Sequence, residues 1–432
     1  MRLSLPLLCL PCFLSGQSLT VESLAPLPEP ITNNAVVATE VAGAQYVYSF
    51  TGLDSTKGCD GDHLRAYRYA VADDIWEALP DVPDPQGGKI AAAASVIRDR
   101  IYVVGGYHLG PSCNEISSDR LHIFDPAANT WLPDGAPLPI PIDDQVQGVW
   151  RDSLLYVITG WSNTTNVSAV QVYDPATDAW QAATSVPNFT RYKVFGGSGV
   201  IIGDTIYYAG GAYTAPDFPL RAVYRKGIID PADPLSITWS DVDAPPALLY
   251  RSGATAWRGR PLWLGGSAVS YNFDGIAYDG SGGVSPLPNV VLGNPGSDAL
   301  VEIPGVLPPV MDLRGVAALG DDTYILVGGM GPNQAVLDHT TRLRIDDLTA
   351  RPAAPAPPRW SVYPNPSDGT LRFDRTLSGE LILYDTAGKR VRSYILRGAR
   401  TLRVSDLPAG VYAIGLREGP VRHSLRQLLV LP

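Results

Sequence analysis

The 432-residue sequence is short of several things that metal-dependent, helical and membrane-spanning proteins need. It has five His, and no two of them stand at a metal-ligand spacing such as HxxxH. It contains no GxSxG nucleophile turn and no glycine-rich phosphate loop. Three Met, 18% charged residues and the absence of a long amphipathic pattern argue against a helical domain. A net charge of −10 and a pI of about 5.0 argue against nucleic acid as the main partner. Past the N-terminal stretch, no apolar run is long enough to span a bilayer, so no transmembrane segment is expected. No cofactor and no metal are expected either. The nearest approach, Asp54, Asp60 and Asp62 in LDSTKGCDGDH, lacks the DxDxDG spacing of a calcium loop.

What the sequence does have is turns: 43 Gly and 39 Pro. It begins MRLSLPLLCLPCFLSGQ, one Arg followed by an apolar run and small residues. This is the pattern of a secretory signal peptide, with cleavage expected after Gly16. About a dozen apolar residues are too few for an anchor. Cys9 and Cys12 lack the small preceding residue of a lipidation site. Removing residues 1–16 leaves Cys59 and Cys113, an even count in an exported chain, so one disulfide is expected. The alternative is two unpaired loop thiols.

A unit then recurs. AQYVYSFTG, RIYVVGG, LLYVITG, TIYYAGG, PLWLGG and TYILVGG end on Gly52, Gly106, Gly160, Gly211, Gly266 and Gly329. Their intervals are 54, 54, 51, 55 and 63 residues, a repeat of roughly fifty. Most units carry a strand of small residues before the apolar run, such as IAAAASV or GGSGV. Several carry an alternating strand after it that closes on Trp. An aromatic and a Trp stand seven apart in Tyr69/Trp76, Phe124/Trp131 and Tyr173/Trp180. Small side chains suit strands converging on an axis, and a continuously apolar strand suits burial between neighbouring sheets.

These units resemble the kelch repeats of β-propellers, over roughly residues 18–349. The resemblance implies an all-β fold with six four-stranded blades at residues 17–348. The last unit ends at TTRLRIDD with no Trp segment. The N-terminal VESLAPLPEP matches the segment after Trp131, so the first strand should complete the last blade. In this register Cys59 and Cys113 each lie seven residues past the closing glycine, in equivalent loops.

Residues 349–359 form a Pro/Ala-rich linker. From Trp360 on, 11 basic against 6 acidic residues make a tail of +5, leaving about −15 for the rest. Short alternating strands there suggest a small C-terminal β-sandwich. YPNPSDG, LYDTAGKRV and LPAGVYAIGL, in that order, resemble the type A sorting domain of the type IX secretion system of Bacteroidota. The resemblance implies that residues 360–432 engage the secretion machinery. The protein would then be secreted or attached at the outer-membrane surface.

In a propeller, the loops leading into the inner strands share one face with the loops after the closing glycines. On that face the sequence puts carboxylates, cations and aromatics. Asp143, Asp144, Arg251 and Arg314 are the candidates for acid–base work. Lys89, His108, Gln145, Trp161, Lys193, Tyr213, Tyr271 and Asn272 are candidates for ligand binding. The mixture suits a polar ring such as a sugar, stacked on aromatics and held by hydrogen bonds. Each residue also has a structural reading: the aspartates as turn caps, the arginines as bridges between blades. The functional expectation is a binding module for a glycan or protein. The alternative is an enzyme of the sialic acid mutarotase type, a family of bacterial kelch propellers, with no residue-level alignment to its motif.

Overall fold

The computed structural model describes residues 18–348 except Pro295, and most of residues 362–430. The expected signal peptide, residues 1–16, and the linker, residues 349–359, lie outside the described residues. The chain divides into two compact units, Met1–Leu348 and Thr349–Pro432.

The first unit holds six four-stranded antiparallel sheets. Blades 1 to 5 take residues 35–79, 93–131, 146–182, 198–243 and 253–303. Blade 6 takes residues 317–347 and, as its outermost strand, Ser18–Ser23. That N-terminal strand pairs antiparallel with Thr340–Asp347, as the sequence led us to expect. The second strands Arg100–Val104, Leu154–Ile158, Thr205–Ala209, Arg260–Leu264 and Thr323–Val327 each bury their last four residues. Neighbouring sheets cover both of their faces, which is why they read as unbroken apolar runs.

The paired glycines mark where one blade's backbone meets the next. Gly210 and Gly211 have φ of +68° and +84°, a region that favours glycine. A Cβ on Gly210 would overlap the Leu249 carbonyl in the loop leading to blade 5. The Gly211 N–H donates to that same carbonyl at 2.8 Å. The same bond runs from Gly106 to Ile142, Gly266 to Val310 and Gly329 to Ile31.

The aromatic–Trp pairs seven residues apart face each other directly across the outer hairpins. Their ring centroids lie 5.2, 4.9 and 5.1 Å apart for Tyr69/Trp76, Phe124/Trp131 and Tyr173/Trp180. Each indole N–H donates to a backbone carbonyl of the preceding blade's outer segment: Ala25, Pro80 and Ala136. Trp239 of blade 4 does the same to Thr184. Opposite Trp239 stands Gly227, where a Cβ would collide with the ring.

In the second unit the described strands hydrogen-bond into one connected six-stranded sheet. Its long strands Thr370–Tyr384 and Arg390–Arg403 break register between Arg372 and Leu377. Its core holds Leu371, Phe373, Leu381, Leu383, Leu396 and Ile414. The sequence suggested a small β-sandwich of short strands; the described residues instead form one connected sheet built on two strands of 15 and 14 residues.

Candidate functional site

Each loop leading into an inner strand passes through one residue of positive φ: Asn33, Ala91, Asp144, Gly196, Arg251 and Asp312. These turns join hands around the axis. Ala91 N–H donates to Asn33 O, Asp144 to Ala91, Gly196 to Asp144 and Arg251 to Gly196. Leu313 N–H then donates to Arg251 O, and Asn33 N–H to Asp312 O, at 2.8–3.3 Å throughout the belt. Six backbone hydrogen bonds therefore close the mouth into a ring.

Three side chains of that ring plug the axis. Arg251 donates from Nε and Nη2 to Asp144 at 3.2 and 2.6 Å, and from Nη1 to Asp312 at 3.1 Å. Arg314 approaches Asp144 to 3.5 Å and donates to the Gln145 carbonyl at 2.9 Å. Thr32 donates to Asp312 at 2.7 Å, and the Tyr271 hydroxyl lies 3.4 Å from it. All four charged groups are buried. Further along the axis, Val36, Ala93, Gln147, Ser198 and Ala254 of the first five inner strands, with Arg314 and Val316 just before the sixth, line a channel of about 130 Å³.

The mouth is roofed as well as plugged. The loop after Gly266 carries Phe273 across the ring to bury it among Leu53, Ile90, Ala91 and Tyr107 of blades 1 and 2. Lys57 of blade 1 donates to the carbonyls of Asp274 and Gln334, at 3.2 and 2.9 Å. Two residues on, Cys59 is joined to Cys113 by the expected disulfide. Asp54, weighed as a calcium ligand, accepts instead from Thr56 N–H and Oγ.

A second cavity of about 130 Å³ lies against the plug and shares Asp144 and Arg251 with it. Trp161, Phe195, Phe218 and Tyr278 form its aromatic walls. Glu115, Asp143, Asp144, Arg251 and Asn272 form its polar side. Asp143 accepts from Ser117 Oγ at 2.5 Å and is buried. Burial, with Asp144 beside it, pushes its carboxyl well above the usual range. Burial likewise pushes Glu115 up to about 7, against the pull of Arg251.

The sequence candidates separate into groups. Asp143, Trp161 and Asn272 line the cavity. Asp144, Arg251, Arg314 and Tyr271 belong mainly to the plug, so the bridging role of the two arginines is realised across the axis. Gln145 donates to the Val104 carbonyl and faces the channel. Lys193 and Tyr213 are half-buried, Tyr213 under the Arg221 guanidinium at 4.6 Å.

Lys89 and His108 stand apart in a buried cluster between blades 1 and 2. Lys89 Nζ lies 2.5 Å from Asp84, 3.1 Å from His122 Nε2 and 3.2 Å from Ser118 Oγ. His122 Nδ1 lies 2.8 Å from Asp134, and His108 Nδ1 2.6 Å from the Gly88 carbonyl. Burial opposes charge on Asp84, but His122 and Lys89 outweigh it and hold the carboxyl below its ordinary range. Lys89 thus joins two blades and is withdrawn from the mouth.

Sequence reasoning missed Glu115, Phe195, Phe218, Phe273 and Tyr278. Glu115, Phe218, Phe273 and Tyr278 sit seven to twelve residues past a closing glycine, in loops where no spacing or pattern sets them apart from their neighbours. The longer interval of 63 after Gly266 was the visible sign of an extra loop.

The fold and mouth define a kelch-type propeller, and comparison with known proteins agrees. Residues 91–137 match the Kelch motif, and residues 361–430 match the Secretion system C-terminal sorting domain. Kelch-like protein terF of Aspergillus terreus is 28% identical over 258 residues, covering 57% of this chain and 52% of that protein. Kelch-like protein 26 of Danio rerio is 29% identical over 143 residues, covering 33% of this chain and 23% of that one. The chain thus spans about half the length of the first relative and under a quarter of the second. The solved structure of YjhT superposes with a TM-score of 0.60 at 15% identity, covering 75% of this chain and 97% of that one, a likeness of fold alone. The chain thus carries kelch-type propeller repeats followed by a secretion-system sorting domain. Among the described residues, no helix is long and apolar enough to cross a membrane.

Proposed function

We infer that the chain is a secreted or surface-displayed binding protein that takes a saccharide unit in the aromatic-walled cavity. In this reading residues 1–16 start export as a signal peptide and residues 360–432 complete it through the secretion machinery. The observation that carries the reading is the cavity wall itself. Trp161, Phe218 and Tyr278 offer ring faces for stacking, while Glu115, Asp143 and Asn272 offer hydrogen-bonding groups. A broad protein partner would need an open face, and here the loops of blades 1, 2 and 5 close over the mouth.

Thermal unfolding of the full chain against a panel of mono- and oligosaccharides tests it. A ligand at a hundred times its Kd adds about 2.7 kcal/mol. The shift should vanish in Trp161→Ala and persist in Tyr213→Ala, which changes a residue outside the cavity. No shift from any saccharide overturns the reading.

A second reading, acid–base catalysis on a bound sugar, is favoured by one observation. Burial pushes Glu115 up to about 7, the range in which a carboxyl can both give and take a proton, and raises Asp143 on the same cavity wall. Anomer exchange measured by NMR would be accelerated by the wild type and lost in Glu115→Gln.

A further inference from the structure

The mouth contains more acid than its own cations neutralise. Four carboxyl groups, Glu115, Asp143, Asp144 and Asp312, meet two guanidinium groups, Arg251 and Arg314. Arg251 commits its bonds to Asp144 and Asp312, and Arg314 approaches Asp144. Among the described residues, Glu115 and Asp143 are left with no salt-bridge cation, and both line the aromatic-walled cavity. A polar ligand without charge would leave that imbalance in place.

We propose that the cavity is built for an organic ammonium, in the form of an amino sugar, whose amine sits between the carboxyls of Glu115 and Asp143 and against the rings of Trp161, Phe218 and Tyr278. This deepens the saccharide reading above and rests on it. A carboxylate pair without a cation, walled by aromatic rings, is the arrangement that attracts an ammonium by both ion pairing and the ring quadrupole. In the unliganded protein burial raises the pKa of both carboxyls, Glu115 to about 7. The charged and titratable groups facing the pair are Asp144, Arg251, Arg314, Tyr107 and Tyr278. Arg251 is engaged in the plug, and Arg314, whose buried Nε has no hydrogen-bond partner, makes no salt bridge with either carboxyl. An arriving ammonium pulls the raised carboxyls back down, so binding releases protons to the solvent.

The test compares matched probes on the full chain by calorimetry: D-glucosamine, N-acetyl-D-glucosamine and D-glucose at pH 6.5, in two buffers of different ionisation heat. Glucosamine should bind at least tenfold tighter than its acetylated twin. Its observed heat should differ between buffers by the amount that proton release requires. Its affinity should fall as the pH is lowered from 7.5 to 5.5. Glu115→Gln and Asp143→Asn should each cost glucosamine tenfold or more and cost the acetylated and neutral sugars several-fold less, so that the preference for the amine is lost. Equal binding of all three sugars, lost in Trp161→Ala, would overturn the ammonium assignment while leaving the saccharide reading standing. Tighter binding of the acetylated sugar would overturn it in the same way. No binding by any of the three would overturn both.

Discussion

Replacing Arg251 by methionine removes the one side chain that reaches from blade 5 to blades 3 and 6 across the axis. Methionine keeps the length and the burial but strands Asp312 with no cation and leaves Asp144 with Arg314 alone. Breaking a buried pair from one side costs about 3–5 kcal/mol, because the partner charge stays desolvated. At about 2.1 cal/mol/K of unfolding entropy per residue, a propeller of roughly 330 residues loses about 4–7 °C of Tm for that change. The pH dependence is more telling than the size. Burial already raises Asp312, and the variant removes the guanidinium that opposes that shift, so its folded pKa moves further above the unfolded one. Its contribution is intact below the unfolded carboxylate pKa and is lost as pH rises through the raised folded value. A carboxyl whose pKa is higher by one in the folded chain than in the unfolded chain accounts for about 1.36 kcal/mol of that loss. The gap in Tm between wild type and Arg251→Met should therefore widen from pH 4.5 to pH 7.5, followed by differential scanning calorimetry. Adding Asp312→Asn should recover part of it at pH 7.5. A variant within about 1 °C of wild type at pH 7.5, or a gap that narrows with rising pH, would refute the account of the plug.

Three more outcomes are expected. Glu115 is raised by burial to about 7, so the stability it contributes is complete below about pH 4.5 and lost as pH climbs to 7. Glu115→Gln should flatten the stability profile over that window and exceed wild type above pH 7 by up to about 3 kcal/mol, measured by urea unfolding. His63 is buried, and desolvation pulls its pKa down to about 4. It must stay neutral in the folded state, so stability is lost as pH falls from about 6.5 to 4. His63→Met should unfold less on acidification across that range, the difference approaching about 3 kcal/mol by circular dichroism. The Cys59–Cys113 bridge closes a separation of 54 residues, so the Cys59→Ser, Cys113→Ser pair should lose about 3–4 kcal/mol in calorimetric stability.

The blades were legible because their rules are local. Paired glycines, the small-residue strand and the aromatic–Trp spacing are set by neighbours within one hairpin or across one blade junction. The spacing of seven fails in blade 4, where the outer hairpin lengthens, and in blades 5 and 6, whose outer strands carry no Trp. In blade 4, Trp239 stands opposite Gly227, twelve residues away, and no aromatic announces it. The mouth was half legible. Asp144, Arg251 and Asp312 were recognisable as charged residues of lead-in loops. That they meet each other depends on ring geometry that brings residues 107 and 61 apart into one plug. The roof was the least legible. An interval of 63 reports an extra loop, but its path is decided by the pocket that Phe273 fills between blades 1 and 2.

The strand pairing of Ser18–Ser23 with Thr340–Asp347 sets a schedule as well as a shape. A ribosome makes the first of these strands at the start of the propeller and its partner at the end. Every intermediate length of chain has an incomplete circle and an unpaired edge, and such distant pairing is slow to form. The sorting address follows within a few tens of residues of the closing strand. An address in that position is legible only on a chain whose every blade has already been written. A product cut short before residue 340 lacks both the partner of the first strand and the segment that matches the sorting domain.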